Sequence, residues 1–263
     1  MHAFEYHRPT SVADAVALLG RTGGRALAGG QSLVGAMKLR LAQPGHLVDL
    51  SGIAELRGIG EDGGAIVIGA TTRHAEIAGS VVVRRVFPAL ATLAHGIGDP
   101  QVRNMGTLGG ALANNDPAAD WPAGVLGSGA TVVTSRRRIA ADDFFKGLYE
   151  TALAADEVIV SVSFPVPRKA AYAKFPNPAS RFALVGVFVA QTGRGVRVAV
   201  TGAAPSVFRC RPIEDALAKS WTAAAAGAVE VEAAGLGGDL HASPAYRARL
   251  IAVLASRAVA AAG

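Results

Sequence analysis

Two glycine pairs constrain this chain more than anything else in it. Gly29-Gly30 lies in ALAGGQSLVGAMKLR (26–40), straight after a short apolar run, and Gly109-Gly110 lies in NMGTLGGALANNDPAADWP (104–122). Glycine has no Cβ, so the main chain around it can approach a ligand or another stretch of backbone closely. Consecutive N–H groups in such a turn form a concavity suited to phosphate oxygens. Two loops of this kind can grip the two phosphates of a dinucleotide from opposite sides. The second stretch adds Gly106, the hydroxyl of Thr107 and two carboxylates, Asp116 and Asp120. Asp116 followed by Pro117 predicts an N-cap and a first helical position beside the turn.

Composition narrows the chemistry. A chain of 263 residues, 51% hydrophobic and 17% charged, is long and apolar enough for about two folded domains. The N-terminus MHAFEYHRPTS has neither the apolar core nor the cleavage pattern of a secretion signal. No uncharged apolar stretch reaches the ~18 residues of a membrane span, and Arg247, Arg249 and Arg257 interrupt the alanine-rich last helix. A cytoplasmic protein without an integral membrane segment is expected. Cys210 is the only cysteine and reads as a small buried residue. It cannot alone hold an iron–sulfur cluster or build a thiolate zinc site, so redox chemistry here needs an organic cofactor, with metal centres on partners. The net charge is +6, but the only dense basic run, Arg136-Arg137-Arg138, lacks interleaved aromatics. It reads as the solvated tip of a hairpin, and no nucleic acid is expected.

Taken in order, residues 3–6 read as a strand, and Ser11 caps a helix whose apolar face is Val12, Ala15, Val16 and Leu19, with Gly20 as its stop. Arg25–Ala28 and His46–Asp49 are further strands, closing a small β-α-β-β unit over residues 1–57. Lys38 reads as solvated, and His46 with Asp49 reads as a strand edge, having no third metal ligand nearby in sequence. Gly58 to Gly63 matches G-x-G-x-x-G, but a strand pattern (AIVIGA) follows instead of a helix, so these glycines mark a hairpin turn. His74 and Glu76, two positions apart on a helix, do not face each other, and capping and packing are their expected roles. Arg103 is expected to hold a turn through backbone carbonyls. Phe144 and Phe145 read as core, and EVIVSVSF (157–164) as the strand that closes a second unit, 58–165. Pro165-Val166-Pro167 is the expected linker. Three antiparallel strands (171–175, 183–191, 196–202) and three helices (from 212, about 222 and 243) follow in residues 166–263. No G-x-S-x-G, metal-spaced histidine cluster or P-loop lysine occurs.

Together, AGGQSL (28–33), QVRNMGTLGG (101–110) and DPAAD (116–120) resemble the FAD-binding medium subunit of molybdenum-containing hydroxylases, the family of aerobic carbon monoxide dehydrogenase and xanthine dehydrogenase-like flavoproteins. The resemblance covers nearly the whole chain. It implies an α+β architecture: a two-subdomain FAD-binding fold of the vanillyl-alcohol-oxidase/PCMH type, then a C-terminal domain of a three-stranded antiparallel sheet and a three-helix bundle. It implies FAD lying between the first two units, its pyrophosphate bound by Ala28, Gly29, Gly30, Gln31, Ser32 and Leu33 and by Thr107, Leu108, Gly109, Gly110 and Ala111. Asp120 would hydrogen-bond ribose or ribityl hydroxyls, Ile97 would lie near the ring, and Ile159 and Lys174 are carried over as further contacts. A solvated strand lysine is the other reading of Lys174. Asn114-Asn115 and Arg181 depart from the family pattern, which bears on flavin tuning and on the electron acceptor.

The function so implied is electron transfer. A molybdenum-binding large subunit would oxidise substrate, an iron–sulfur small subunit would relay single electrons, and FAD here would pass them to a quinone, NAD or oxygen, within a dimer of heterotrimers. No residue of this chain is expected to be catalytic or to bind metal. The alternatives are a stand-alone FAD-dependent oxidoreductase and a nucleotide-binding module without redox role.

Overall fold

The computed structural model describes residues 1–263. Its first sheet is parallel, ordered β1-β3-β2, with β1 Glu5–His7, β2 Arg25–Leu27 and β3 His46–Asp49. Helix α1 (Val12–Thr22) joins β1 to β2, and the Ser11 side chain accepts from the Asp14 N–H at its start. The helix runs past Gly20, the expected stop, because the left-handed residue that ends it is Gly23, at φ 62°. Helix α2 (Leu33–Lys38) joins β2 to β3. Ala15, Leu19, Val48, Leu50, Ile53 and Leu56 form a small core with Val158 from the segment that follows.

The second sheet is antiparallel, ordered β4-β5-β10-β6-β7. Strands β4 (Ile59–Asp62) and β5 (Ala65–Gly69) turn at Gly63-Gly64, both at positive φ, so the G-x-G-x-x-G match is a hairpin as expected. Between β5 and β6 (Thr131–Thr134) lie six helices: α3 (His74–Gly79), α4 (Val81–Val86), α5 (Pro88–His95), α6 (Pro100–Met105), α7 (Leu108–Asn114) and α8 (Trp121–Ser128). Then come β7 (Arg138–Ala140), α9 (Ala141–Phe144), the short pair β8 (Phe145–Gly147) and β9 (Glu150–Thr151), and β10 (Ile159–Pro165). Phe87, Leu90, Leu93, Trp121, Phe144 and Phe164 fill the main core.

The helix expected at Asp116-Pro117 is not there. Thr107 caps α7, whose first turn contains the glycine pair, and α8 starts only at Trp121. Residues 116–120 are instead held by tertiary bonds: Asp116 takes the Ala118 N–H at 2.8 Å, while the Pro117 and Ala119 carbonyls accept from the Thr201 hydroxyl at 2.8 and 2.7 Å. The basic run is the exposed turn of the β6–β7 hairpin, as its sequence suggests, and two of its arginines carry ion pairs. Arg136 pairs with Asp156 and Arg137 with Glu157.

The C-terminal sheet, β11-β12-β13-β14, contains the three expected strands, β11 (Lys169–Pro176), β12 (Ala183–Thr192) and β13 (Gly195–Thr201), and gains the two-residue β14 (Phe208–Arg209). Helices α10 (Arg211–Lys219), α11 (Ala223–Gly227) and α12 (Pro244–Ala262) follow. Strand β12 is a nearly continuous apolar run because both its faces are covered. Val185, Val187 and Val189 pack with Ile251, Leu254 and Val259 of α12; Phe188 and Ala190 join the main core. Gly127 of α8 meets that second face: a Cβ there would stand 2.6 Å from Phe188 Cδ1.

Glu157 ties the β6–β7 turn to the segment that leads into β10. Its carboxylate accepts from Thr134 Oγ1 at 2.6 Å, Arg137 Nη2 at 3.0 Å and the Ala154 N–H at 3.0 Å. The Arg137 hydrogen bond, opposed by burial and helped by Thr134, holds its pKa down from 4.5 to about 2. A depressed carboxylate contributes stability above its unfolded value and loses it as pH falls through the folded one. Glu157→Gln is therefore expected to cost on the order of 2 kcal/mol at pH 7, discounted for the exposed partner arginine. Urea midpoints of wild type and variant should converge between about pH 4.5 and 2.

Candidate functional site

Strand β2 ends at Leu27 and delivers the first glycine loop to the C-terminal edge of the parallel sheet. None of the main-chain N–H groups from Gly29 to Leu33 donates to a protein acceptor. Gly30 is left-handed at φ 70°, which lets successive N–H groups turn toward one side. Ser32 precedes α2 without a side-chain capping bond, so its hydroxyl adds another donor at the same spot. A run of uncommitted donors with partial positive charge suits an anion, and phosphate oxygens above all.

The second loop lies directly against the first. A Cβ on Gly29 would stand 2.7 Å from the Met105 carbonyl carbon and 2.8 Å from Gly106 Cα, and one on Gly110 would stand 3.9 Å from Ala28 Cβ. The glycine pairs thus meet, but their donors differ. The N–H groups of Leu108, Gly109, Gly110 and Ala111 are committed to Thr72 O, Ala70 O, Thr107 Oγ1 and Thr107 O, at 3.1, 2.8, 3.2 and 3.1 Å. This loop contributes close backbone approach and shape. Ala70 and Thr72, which anchor it, carried no signal in the sequence, because their role depends on the β5 end meeting α7.

A polar strip continues from there. His74 lies beneath Gly106 and accepts the Trp121 indole N–H on Nδ1 at 3.1 Å. Burial, with Arg103 nearby, lowers its pKa to about 4, so the ring is neutral and serves packing. Glu76 caps the same helix by accepting the Arg73 N–H. Arg103 donates to the carbonyls of Ile97 and Gly98 at 2.9 and 3.0 Å, the backbone-holding role its position suggested. Asp120, next to Trp121, is buried with 4% exposure. Its Oδ1 accepts from the Tyr172 hydroxyl at 2.6 Å and lies 2.9 Å from Lys174 Nζ; Oδ2 carries neither contact. Lys174 also donates to the carbonyls of Gly96 and Arg181, at 2.7 and 3.0 Å. It is no solvated lysine. Tyr172, Gly96 and Arg181, the last left-handed at φ 61°, complete the arrangement and lie far from Asp120 in sequence.

Ile97 follows Gly96, whose carbonyl Lys174 holds, and its own carbonyl is taken by Arg103. Leu108 and Ile159 do not join it at the surface: both are buried in the main core, Ile159 on β10 opposite Thr134. Burial raises the Asp120 pKa above 3.8, with Lys174 and Tyr172 pulling it back, and the same burial with the Asp120 charge pushes the Tyr172 phenol well above 10.0. The phenol stays a donor at every physiological pH.

The family described as the FAD binding domain in molybdopterin dehydrogenase matches residues 2–167. The chain is 39% identical over 220 residues to the carbon monoxide dehydrogenase medium chain of Hydrogenophaga pseudoflava, covering 78% of this chain and 77% of that one. It is 37% identical over 217 residues to the nicotine 6-hydroxylase medium subunit of Paenarthrobacter nicotinovorans, covering 77% of each. The solved carbon monoxide dehydrogenase from Hydrogenophaga pseudoflava that lacks the Mo-pyranopterin moiety superposes with a TM-score of 0.90 at 39% identity, over 99% of this chain and 97% of that one.

Lys174→Met leaves Asp120 buried without its counter-charge. The expected loss is about 3 kcal/mol at pH 7. A carboxyl whose folded pKa is raised gives up stability as pH rises, so the deficit should grow from pH 4 upward, measured by urea denaturation across that range.

Proposed function

This chain belongs to the family of FAD-binding domains in molybdopterin dehydrogenases, and from that premise we propose how its residues hold FAD and what passes through it. It is an FAD-binding oxidoreductase subunit of a molybdenum hydroxylase-type complex. The observation that carries the residue assignment is the run of free N–H groups from Gly29 to Leu33, closed by the backbone of Met105 and Gly106. These donors, with the hydroxyl of Ser32, bind the cofactor's pyrophosphate. Dipoles fixed by the fold replace water around the two charges without an arginine. Thr107 to Ala111 form the opposing wall, and Ala28 seals the floor between them. Asp120 Oδ2 accepts from a ribose or ribityl hydroxyl, while its Oδ1 stays with Tyr172 and Lys174. Ile97 and Lys174 flank the ring end, and Ile159 supports the strip from the core.

FAD supplies the exchange between one-electron and two-electron carriers. Electrons enter from iron–sulfur clusters on a small partner subunit, fed by a molybdenum-binding large subunit, and leave to a quinone, NAD or oxygen. The units 1–57 and 58–165 hold the cofactor, and 166–263 covers its ring end. The assembly is a dimer of such three-subunit sets in the cytoplasm. Two relatives of nearly equal similarity are named for carbon monoxide and for nicotine, molecules with no shared chemistry, which supports substrate choice residing outside this chain.

The test is flavin content. The natively purified chain, supplied with FAD and desalted, should keep the visible flavin spectrum, with FAD identified by chromatography. Gly110→Val pushes bulk onto Thr107 Oγ1, only 2.9 Å from a Cβ at that position, and Thr107→Ile removes the cap itself. Each should weaken FAD retention at least tenfold while circular dichroism stays native. Unchanged flavin in a folded Gly110→Val protein would sink the binding assignment.

A further inference from the structure

The small parallel sheet whose β2 leads into the first glycine loop brings three metal-ligating side chains together along β1 and β3. Glu5 and His7 are two apart on β1 and share a face. His46, the first residue of β3, is in register with Glu5. His7 Nε2 lies 3.1 Å from His46 Nδ1, and Glu5 Oε2 lies 3.5 Å from His46 Nδ1 and 3.9 Å from His7 Nε2. A point equidistant from these three atoms is about 2.1 Å from each, the length of a zinc bond to nitrogen or carboxylate oxygen. The ring centroids lie 5.4 Å apart with the planes 26° from parallel, so the two nitrogens face one another across the gap that Glu5 borders.

We propose that Glu5, His7 and His46 form a binding site for a divalent zinc-type cation, open to solvent at its fourth position. Two imidazoles and one carboxylate are a borderline donor set that zinc accepts. Asp49 takes no part. It lies on the opposite face of β3, where its carboxylate accepts from the Tyr6 hydroxyl and from Ser51. The metal-free alternative is one imidazole donating to the other with Glu5 as a solvated neighbour. The two differ in what acid and chelators do, because a ligating imidazole must be neutral. Val48, further along β3, is fully buried in the small core, so a bound cation would clamp β1 to β3 at the rim of that core.

The experiment uses tag-free, FAD-loaded protein stripped with chelator, titrated with zinc by calorimetry and with cobalt by visible absorption. The expected result is one zinc per chain, a raised melting temperature and weaker binding on acidification. His7→Gln and His46→Gln should each weaken zinc binding at least tenfold, with FAD content unchanged because the phosphate loop follows the end of β2, whereas His46 opens β3 and His7 lies on the edge strand β1 beyond it. His2→Gln should leave the affinity as it is. Wild-type protein that takes up no zinc, His46→Gln protein that binds as tightly as wild type, or binding lost only with His2 would each overturn the site.

Discussion

The structure depends on one steric constraint, the backbone-to-backbone contact of Gly29 with Met105 and Gly106. Nothing larger than hydrogen fits at Gly29, so the N-terminal parallel unit and the α6–α7 connection approach to a distance that side chains forbid elsewhere. Everything at the site is measured from that contact. It sets the first loop's free N–H groups against the second loop's wall. Through Gly106 it sets His74, and through His74 it sets Trp121 and Asp120.

The far end of the strip obeys a different rule. Asp120 is too buried to be charged cheaply, and it is held by a lysine that also ties the Gly96 and Arg181 carbonyls. Such a pair adds little net stability, since the desolvation of two ions offsets their attraction. What it provides is position: three segments that share no strand or helix converge on one ammonium group. Tyr172 reaches the same oxygen across Gly186, where any Cβ would fall on the phenol. The strip's two ends thus follow different physics, steric at the glycine loops and electrostatic at Asp120.

The sequence made some of this legible and hid the rest. The two glycine loops were readable because glycine pairs beside apolar runs mark close backbone approach, and the hairpins because turn residues interrupt alternating strands. The helix at Asp116 was misread because Asp-Pro is a local signal, while the bonds that hold residues 116–120 come from Thr201 and its neighbours, more than eighty positions away. Arg136 and Arg137 are exposed as the sequence suggests, but their acidic partners, Asp156 and Glu157, lie twenty residues on and could not be read locally. The neighbours of His46, Glu5 and His7, lie about forty positions away and meet it only in the folded sheet. The commitment of the 108–111 donors could not be read at all, because it arises where Thr72 and Ala70 present their carbonyls. Local chemistry was visible, and long-range satisfaction was not.

Strand β12 belongs to two cores at once, and that has a consequence for how the chain comes into being on the ribosome. Synthesis runs from the N-terminus, so α8 emerges some sixty residues before Phe188 and Ala190, which cover it. Until they arrive, Gly127 and its neighbours present an apolar surface with nothing to bury it, and the cradle for the cofactor rests on an unfinished floor. The nascent two-thirds is therefore the stage most in need of protection by chaperones.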